Sequence, residues 1–88
     1  MPKVRLTPAV KDIAVAFGRF IRKRRVEKGF TQAEAARKAE IDQTQWSKIE
    51  RGRRFLYNPR ELLNISKVLN ISLIEILKRG AGELYDED

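Results

Sequence analysis

The sequence predicts an all-α fold, compact and built from five short helices. Three observations carry that prediction. Apolar residues recur at helical spacing, as in Val10, Ile13, Ala14, Phe17, Phe20 and Ile21. Helix starts are written out as capping motifs, with Thr31-Gln-Ala-Glu34 and Ser72-Leu-Ile-Glu75 the fullest of them. No stretch alternates as a strand should, and Val4-Arg5-Leu6 is too short to count.

The first helix is expected over 8–28. Thr7 offers an N-cap, Pro8 a first-turn proline and Gly29 a left-handed stop. The second, over 31–39, opens with a box in which the Thr31 oxygen accepts a backbone N–H and Glu34 reaches back. The third, over 42–51, starts at Asp42 with Gln45 in the reciprocal position, and Gly52 closes it. The fourth, over 59–69, has Asn58 and Pro59 at its start and an inward row of Leu62, Ile65, Ser66 and Leu69. The fifth, over 73–79, follows Ser72, carries Leu73, Ile76 and Leu77, and stops at Gly80. An arm over 1–7, one domain over 8–80 and an acidic tail over 81–88 follow from this division.

Composition narrows the function. The chain has 88 residues, one domain's worth, and so buries a limited core. It has no cysteine and no histidine, which removes disulfides, thiolate nucleophiles and the usual zinc ligand sets. There is no phosphate-binding glycine loop and no suitably spaced carboxylate pair, so no enzyme, metal or other cofactor is expected. No apolar run reaches bilayer length, and MPKVRLTP lacks an apolar leader segment. A cytoplasmic, nucleoid-associated protein with no membrane partner is expected. The net charge of +7 is uneven: residues 1–58 hold fifteen Lys/Arg against six Asp/Glu, and residues 59–88 hold four against six. The basic part implies either an anionic partner or a solubilising surface.

The second and third helices are separated only by Glu40 and Ile41. So short a link forces a steep crossing with a small contact. Ala35, Ala36 and Ala39 supply small residues on one side, and Ile41, Trp46 and Ile49 supply bulk on the other. Steeply crossed helices joined by a short turn are the signature of a helix-turn-helix. The stretch RKRRVEKGFTQAEAARKAEIDQTQWSKIERGRR, followed by ELLNISKVLNISLIEIL, resembles the Cro and phage-repressor (XRE-like) domain over residues 21–77. The EKGFTQAE entry, the small Ala36, the apolar Ile41, Trp46 and Ile49, the IERG exit and the ISLIEIL ending carry the resemblance. It implies a five-helix, lambda-repressor-like DNA-binding domain that acts as a dimer on a two-fold operator. Two residues depart from the family pattern. Glu40 stands where glycine is usual, at a cost of roughly 1 kcal/mol if φ is positive. Trp46 stands where aliphatic residues are commoner, which implies a locally enlarged core.

In such a motif the N-terminal end of the second helix enters the major groove of double-stranded DNA while the first crosses the backbone. Gln43 and Ser47, and Thr44 and Lys48, fall on neighbouring rows, whereas Trp46 and Ile49 fall opposite. Gln43, Thr44 and Lys48 are therefore the expected base readers, with Ser47 beside them. Glutamine suits adenine, lysine suits guanine and threonine meets a thymine methyl. The plainer alternative makes Gln43 and Thr44 first-turn polar residues; Gln45 is read as a capping-box member. Trp46 is read as core rather than as a platform for an unpaired base. The resemblance gives Gln32 a phosphate contact and a brace on the first residue of the recognition helix, and the helix N-terminus at Thr31 attracts phosphate as well. Arg51, Arg53 and Arg54 suit phosphate contacts, which position without reading sequence. In Arg22-Lys23-Arg24-Arg25, the resemblance pairs Arg25 with Glu50; the other three are read as solvated or as general attraction.

Phe55, Leu56, Tyr57 and Ile74 form a candidate dimer interface, with ordinary loop packing as the alternative. A homodimer would set two recognition helices about 34–36 Å apart. Lys3 and Arg5 belong either to a backbone-touching arm or to an unstructured end. The leading reading is a sequence-specific transcriptional regulator. An antitoxin-like or other protein-interaction module with a protein partner and autoregulatory DNA binding is the alternative, as is a restriction-modification controller.

Overall fold

The computed structural model describes residues 8–54, 58–72 and 75. Four helices stand among them: α1 (Pro8–Glu27), α2 (Gln32–Ala39), α3 (Gln43–Glu50) and α4 (Pro59–Leu69). The described residues hold four helices rather than the expected five, and no strand. Of the fifth helix only Glu75 is described; it is helical, and its N–H donates to Ser72 Oγ at 2.9 Å. The rest of 73–79 lies outside the described residues, as do the arm over 1–7 and the tail over 81–88.

Local chemistry sets the ends of these helices. At α2 the capping box is complete: Glu34 N–H donates to Thr31 Oγ1 at 3.0 Å, and Thr31 N–H donates to Glu34 Oε1 at 2.8 Å. At α3 the arrangement differs from the expected box. Asp42 Oδ1 accepts from Thr44 N–H at 3.2 Å, one residue earlier, because the short aspartate side chain reaches the second N–H of the helix. Asn58 Oδ1 caps α4 through Arg60 N–H at 2.8 Å, with Pro59 first in the helix. α2 ends at Glu40, whose φ of 58° and ψ of 40° are left-handed, and α4 ends the same way at Asn70, with φ 55°. Ile41 N–H then donates back to Ala36 O, and Ile71 N–H to Ser66 O, so both helix ends satisfy carbonyls that would otherwise be orphaned.

The core joins all four helices. Phe17 and Ile21 of α1, Ala35, Ala36 and Ala39 of α2, Trp46 and Ile49 of α3, and Ile65 and Leu69 of α4 are buried together with Ile41 and Ile71. The three alanines bring α2 close to both α3 and α4, and Asn64 Nδ2 donates to Ala39 O at 3.0 Å across that contact. Ser66 lies on the inward row of α4 yet is satisfied, its hydroxyl donating to Leu63 O at 2.7 Å.

Arg24 corrects the reading of its basic run. It is not simply solvated: Nη2 donates to Leu69 O at 3.0 Å and Asn70 O at 3.3 Å, and Nη1 donates to Glu27 at 3.0 Å. The unpaired carbonyls at the negative end of α4 attract a cation. Among the described residues, no helix is long and apolar enough to cross a membrane.

Candidate nucleic-acid interface

α3 divides into two faces. Trp46 and Ile49 are buried, with 0% and 1% of their surface exposed. Gln43, Thr44 and Lys48 are exposed and Ser47 is half-buried beside them. Burial of the apolar row fixes the rotation of the helix about its own axis, so the polar row must face outward. Gln43, Thr44 and Ser47 line one shallow depression together with Gln32 of α2 and Arg51. The start of α2, the start of α3 and the end of α3 thus converge on a single surface.

What holds α3 there is one carboxylate. Glu50 closes the helix, and its side chain is only 2% exposed. Oε2 accepts from Arg25 Nε and from Trp46 Nε1, both at 2.6 Å. Oε1 accepts from Gln32 Nε2 at 2.9 Å and Arg25 Nη2 at 3.1 Å. Arg25 Nη1 goes on to donate to Phe30 O at 2.7 Å, ahead of α2. α1, α2 and α3 therefore meet at one buried negative charge with four donors around it. Burial pushes the Glu50 carboxyl up. Hydrogen bonds from Arg25, Gln32 and Trp46, with the charge of Arg25, more than offset this and hold it below the ordinary carboxylate value.

The other candidate residues are placed as follows. Gln32 turns its amide to Glu50, at the far end of α3 from Gln43, because a buried carboxylate is the stronger acceptor. Thr31 is exposed, with its oxygen engaged in the α2 cap. Arg51 follows α3, and its Nε donates to Ser47 O at 3.3 Å. Arg53 is exposed. Arg54 is half-buried and paired with Glu61 of α4, Nη2 to Oε1 at 2.7 Å, which ties the loop to the next helix. Phe55, Leu56, Tyr57 and Ile74 lie outside the described residues. Among the described residues, no group of His, Cys, Asp or Glu could hold a metal ion.

Sequence reasoning missed two members of the Glu50 cluster. The Trp46–Glu50 bond had a signal, since residues four apart share a helix face. The Gln32–Glu50 bond had none, because its partners lie on different helices.

A family model described as a helix-turn-helix domain matches residues 16–76. A comparison with curated proteins found no match. Several solved structures are similar. The clp gene regulator ClgR from Corynebacterium glutamicum is 28% identical, with 81% of this chain and 74% of that chain covered and a TM-score of 0.71. The restriction-modification controller protein C.AhdI from Aeromonas hydrophila is 28% identical, with 72% of this chain and 94% of that chain covered and a TM-score of 0.67. A chain of the SinR protein/SinI protein complex is 29% identical, with 82% of this chain and 67% of that chain covered and a TM-score of 0.68.

Proposed function

The chain belongs to the helix-turn-helix domain family, as a DNA-binding transcription regulator of the XRE-like kind, and from that premise we propose that it binds a two-fold operator in duplex DNA as a homodimer. α3 lies in the major groove. The observation that carries this reading is the division of α3: an exposed polar row of Gln43, Thr44 and Lys48 opposite the buried Trp46 and Ile49. Gln43, Thr44 and Lys48 read base edges and Ser47 stands beside them. Thr31 and Gln32 at the α2 N-terminus hold a phosphate, as do Arg51 and Arg53. Arg54 joins them by exchanging Glu61 for a phosphate. Phe55, Leu56, Tyr57 and Ile74 are the proposed dimer contacts. The arm over 1–7, the domain over 8–80 and the tail over 81–88 are the proposed units, and the cytoplasm and its nucleoid the proposed location.

Two neighbours favour narrower variants of the same reading. The likeness to C.AhdI supports a restriction-modification controller. The likeness to a chain of the SinR/SinI complex supports a regulator, antitoxin-like or otherwise, that is itself held by a protein partner.

Selection of bound sequences from random duplex DNA tests the proposal. A palindromic sequence is expected, with half-sites about one helical turn apart. Its affinity should fall steeply with salt, as several phosphates are neutralised. Failure to enrich any sequence overturns the specific-operator reading.

A further inference from the structure

α3 is anchored at its C-terminal end. There the Glu50 cluster sits beside two points where α1 and the end of α3 meet backbone to backbone. A β-carbon on Gly18 of α1 would lie 2.5 Å from both Ile49 O and Glu50 O, and 2.8 Å from Glu50 C. A β-carbon on Gly52, just past α3 at φ +72°, would lie 2.7 Å from Val15 Cα and Cγ2. Both glycines are buried. The obstacle at Gly18 is backbone, which cannot swing aside as a side chain does. The opposite end of α3, with Gln43 and Thr44, is exposed, and the Asp42 cap there is a contact within the helix itself.

We propose that Gly18 is a specificity-determining positioning residue: by letting the last turn of α3 rest directly on α1, it sets the pitch at which Gln43, Thr44 and Lys48 meet base edges. Gly18 touches no DNA and acts through Ile49 and Glu50. The proposal rests on the reading of α3 as the groove element. Relieving a 2.5 Å contact to the ordinary 3.4 Å moves the two backbones apart by about 0.9 Å. A binding constellation tolerates about 0.5 Å of misplacement. Base-edge hydrogen bonds are short and directional, so this displacement spoils them. Phosphate contacts made by long arginine and lysine side chains absorb it. Loss of specificity without loss of general DNA affinity is the signature.

The test is Gly18→Ala in the full chain. Affinity is measured for the selected operator and for a random duplex of equal length, over a range of salt, at a temperature where circular dichroism shows the variant folded. The expected result is an operator affinity about ten-fold or more weaker, of the order that one base-pair contact supplies, with unchanged affinity and salt slope on the random duplex. A merely structural role would lower the melting temperature and leave the operator-to-random ratio as it was, and that result overturns the proposal. If Gly18→Ala does not fold alone, it is measured in the Glu40→Gly background against Glu40→Gly itself, since that substitution relieves the left-handed strain at Glu40; an unchanged ratio there overturns the proposal instead. A wild-type chain that prefers no sequence overturns the groove reading and this proposal with it. A wild-type preference kept in full by the variant overturns this proposal alone.

Discussion

Trp46 Nε1 donates to Glu50 Oε2 at 2.6 Å, one helical turn further along α3, with both residues buried. The tryptophan is thus a core residue with a polar role as well. Its ring fills the space between helices, and its N–H helps keep a carboxylate charged inside the fold. The two roles separate in Trp46→Phe, which retains an aromatic ring but removes the donor. A hydrogen bond to a charged group contributes about 1.5–3 kcal/mol. Urea denaturation followed by circular dichroism should show a loss of that size, beyond which lies the cost of the smaller ring. A loss within a few tenths of a kcal/mol would contradict the assignment.

Glu50→Gln is expected to cost more. It keeps the shape but leaves Arg25 partly buried without an anion, and it places an amide N–H where donors already point. Breaking a buried pair from one side costs about 3–5 kcal/mol, and the exposed edge of Arg25 puts this case toward the lower value. Arg25→Met is the companion measurement. The coupling between the two positions, read from the double variant, should be well above the 0–1 kcal/mol typical of a surface pair.

Stability should fall in acid, for a definite reason. The Glu50 carboxyl lies below its ordinary value of 4.5 in the folded chain, so its contribution is present above that value and is lost as pH falls through the folded one. Glu34 titrates in the same direction, because the Thr31 N–H and then its hydroxyl hydrogen-bond with it. Denaturation midpoints measured from neutral pH to well below 4.5 should trace the loss, and Glu50→Gln should flatten it. An equally steep acid limb in that variant would assign the pH dependence elsewhere.

Glu40 holds a left-handed conformation between α2 and α3 that suits glycine better. Glu40→Gly should stabilise the fold by about 1 kcal/mol, seen as a higher urea midpoint. Its contact with Arg60, 3.5 Å between two exposed side chains, contributes little to lose. A destabilised variant would show that the flexibility gained by the unfolded chain outweighs the relieved strain.

On DNA, two substitutions should behave differently. Gln43→Ala should relax the preference at one base pair by about 1–3 kcal/mol, and Arg53→Ala should weaken all sequences alike and reduce the salt slope by about one. Competition binding against single-base operator variants, repeated over salt, distinguishes them. Identical profiles for the two variants would remove the division between base reader and phosphate contact.

Much of this was legible along the chain. The caps at Thr31, Asp42 and Asn58, the inward rows of α1 and α4, and the opposed faces of α3 all rest on groups within four residues of one another. Such contacts form in any chain that goes helical there, so the sequence by itself determined the helices, their buried faces and the outward row of Gln43, Thr44 and Lys48. The pairing of Arg25 with Glu50 spans 25 residues and was legible only through the family resemblance. The tertiary structure decided where the remaining long side chains went. Arg24 closes the end of α4, Arg54 takes Glu61, and Gln32 and Trp46 converge on Glu50. It also decided that Gly18 lies against the last carbonyls of α3. A long polar side chain has several acceptors within reach. The one it takes is the one that burial brings close and strips of water, and that depends on how whole helices pack.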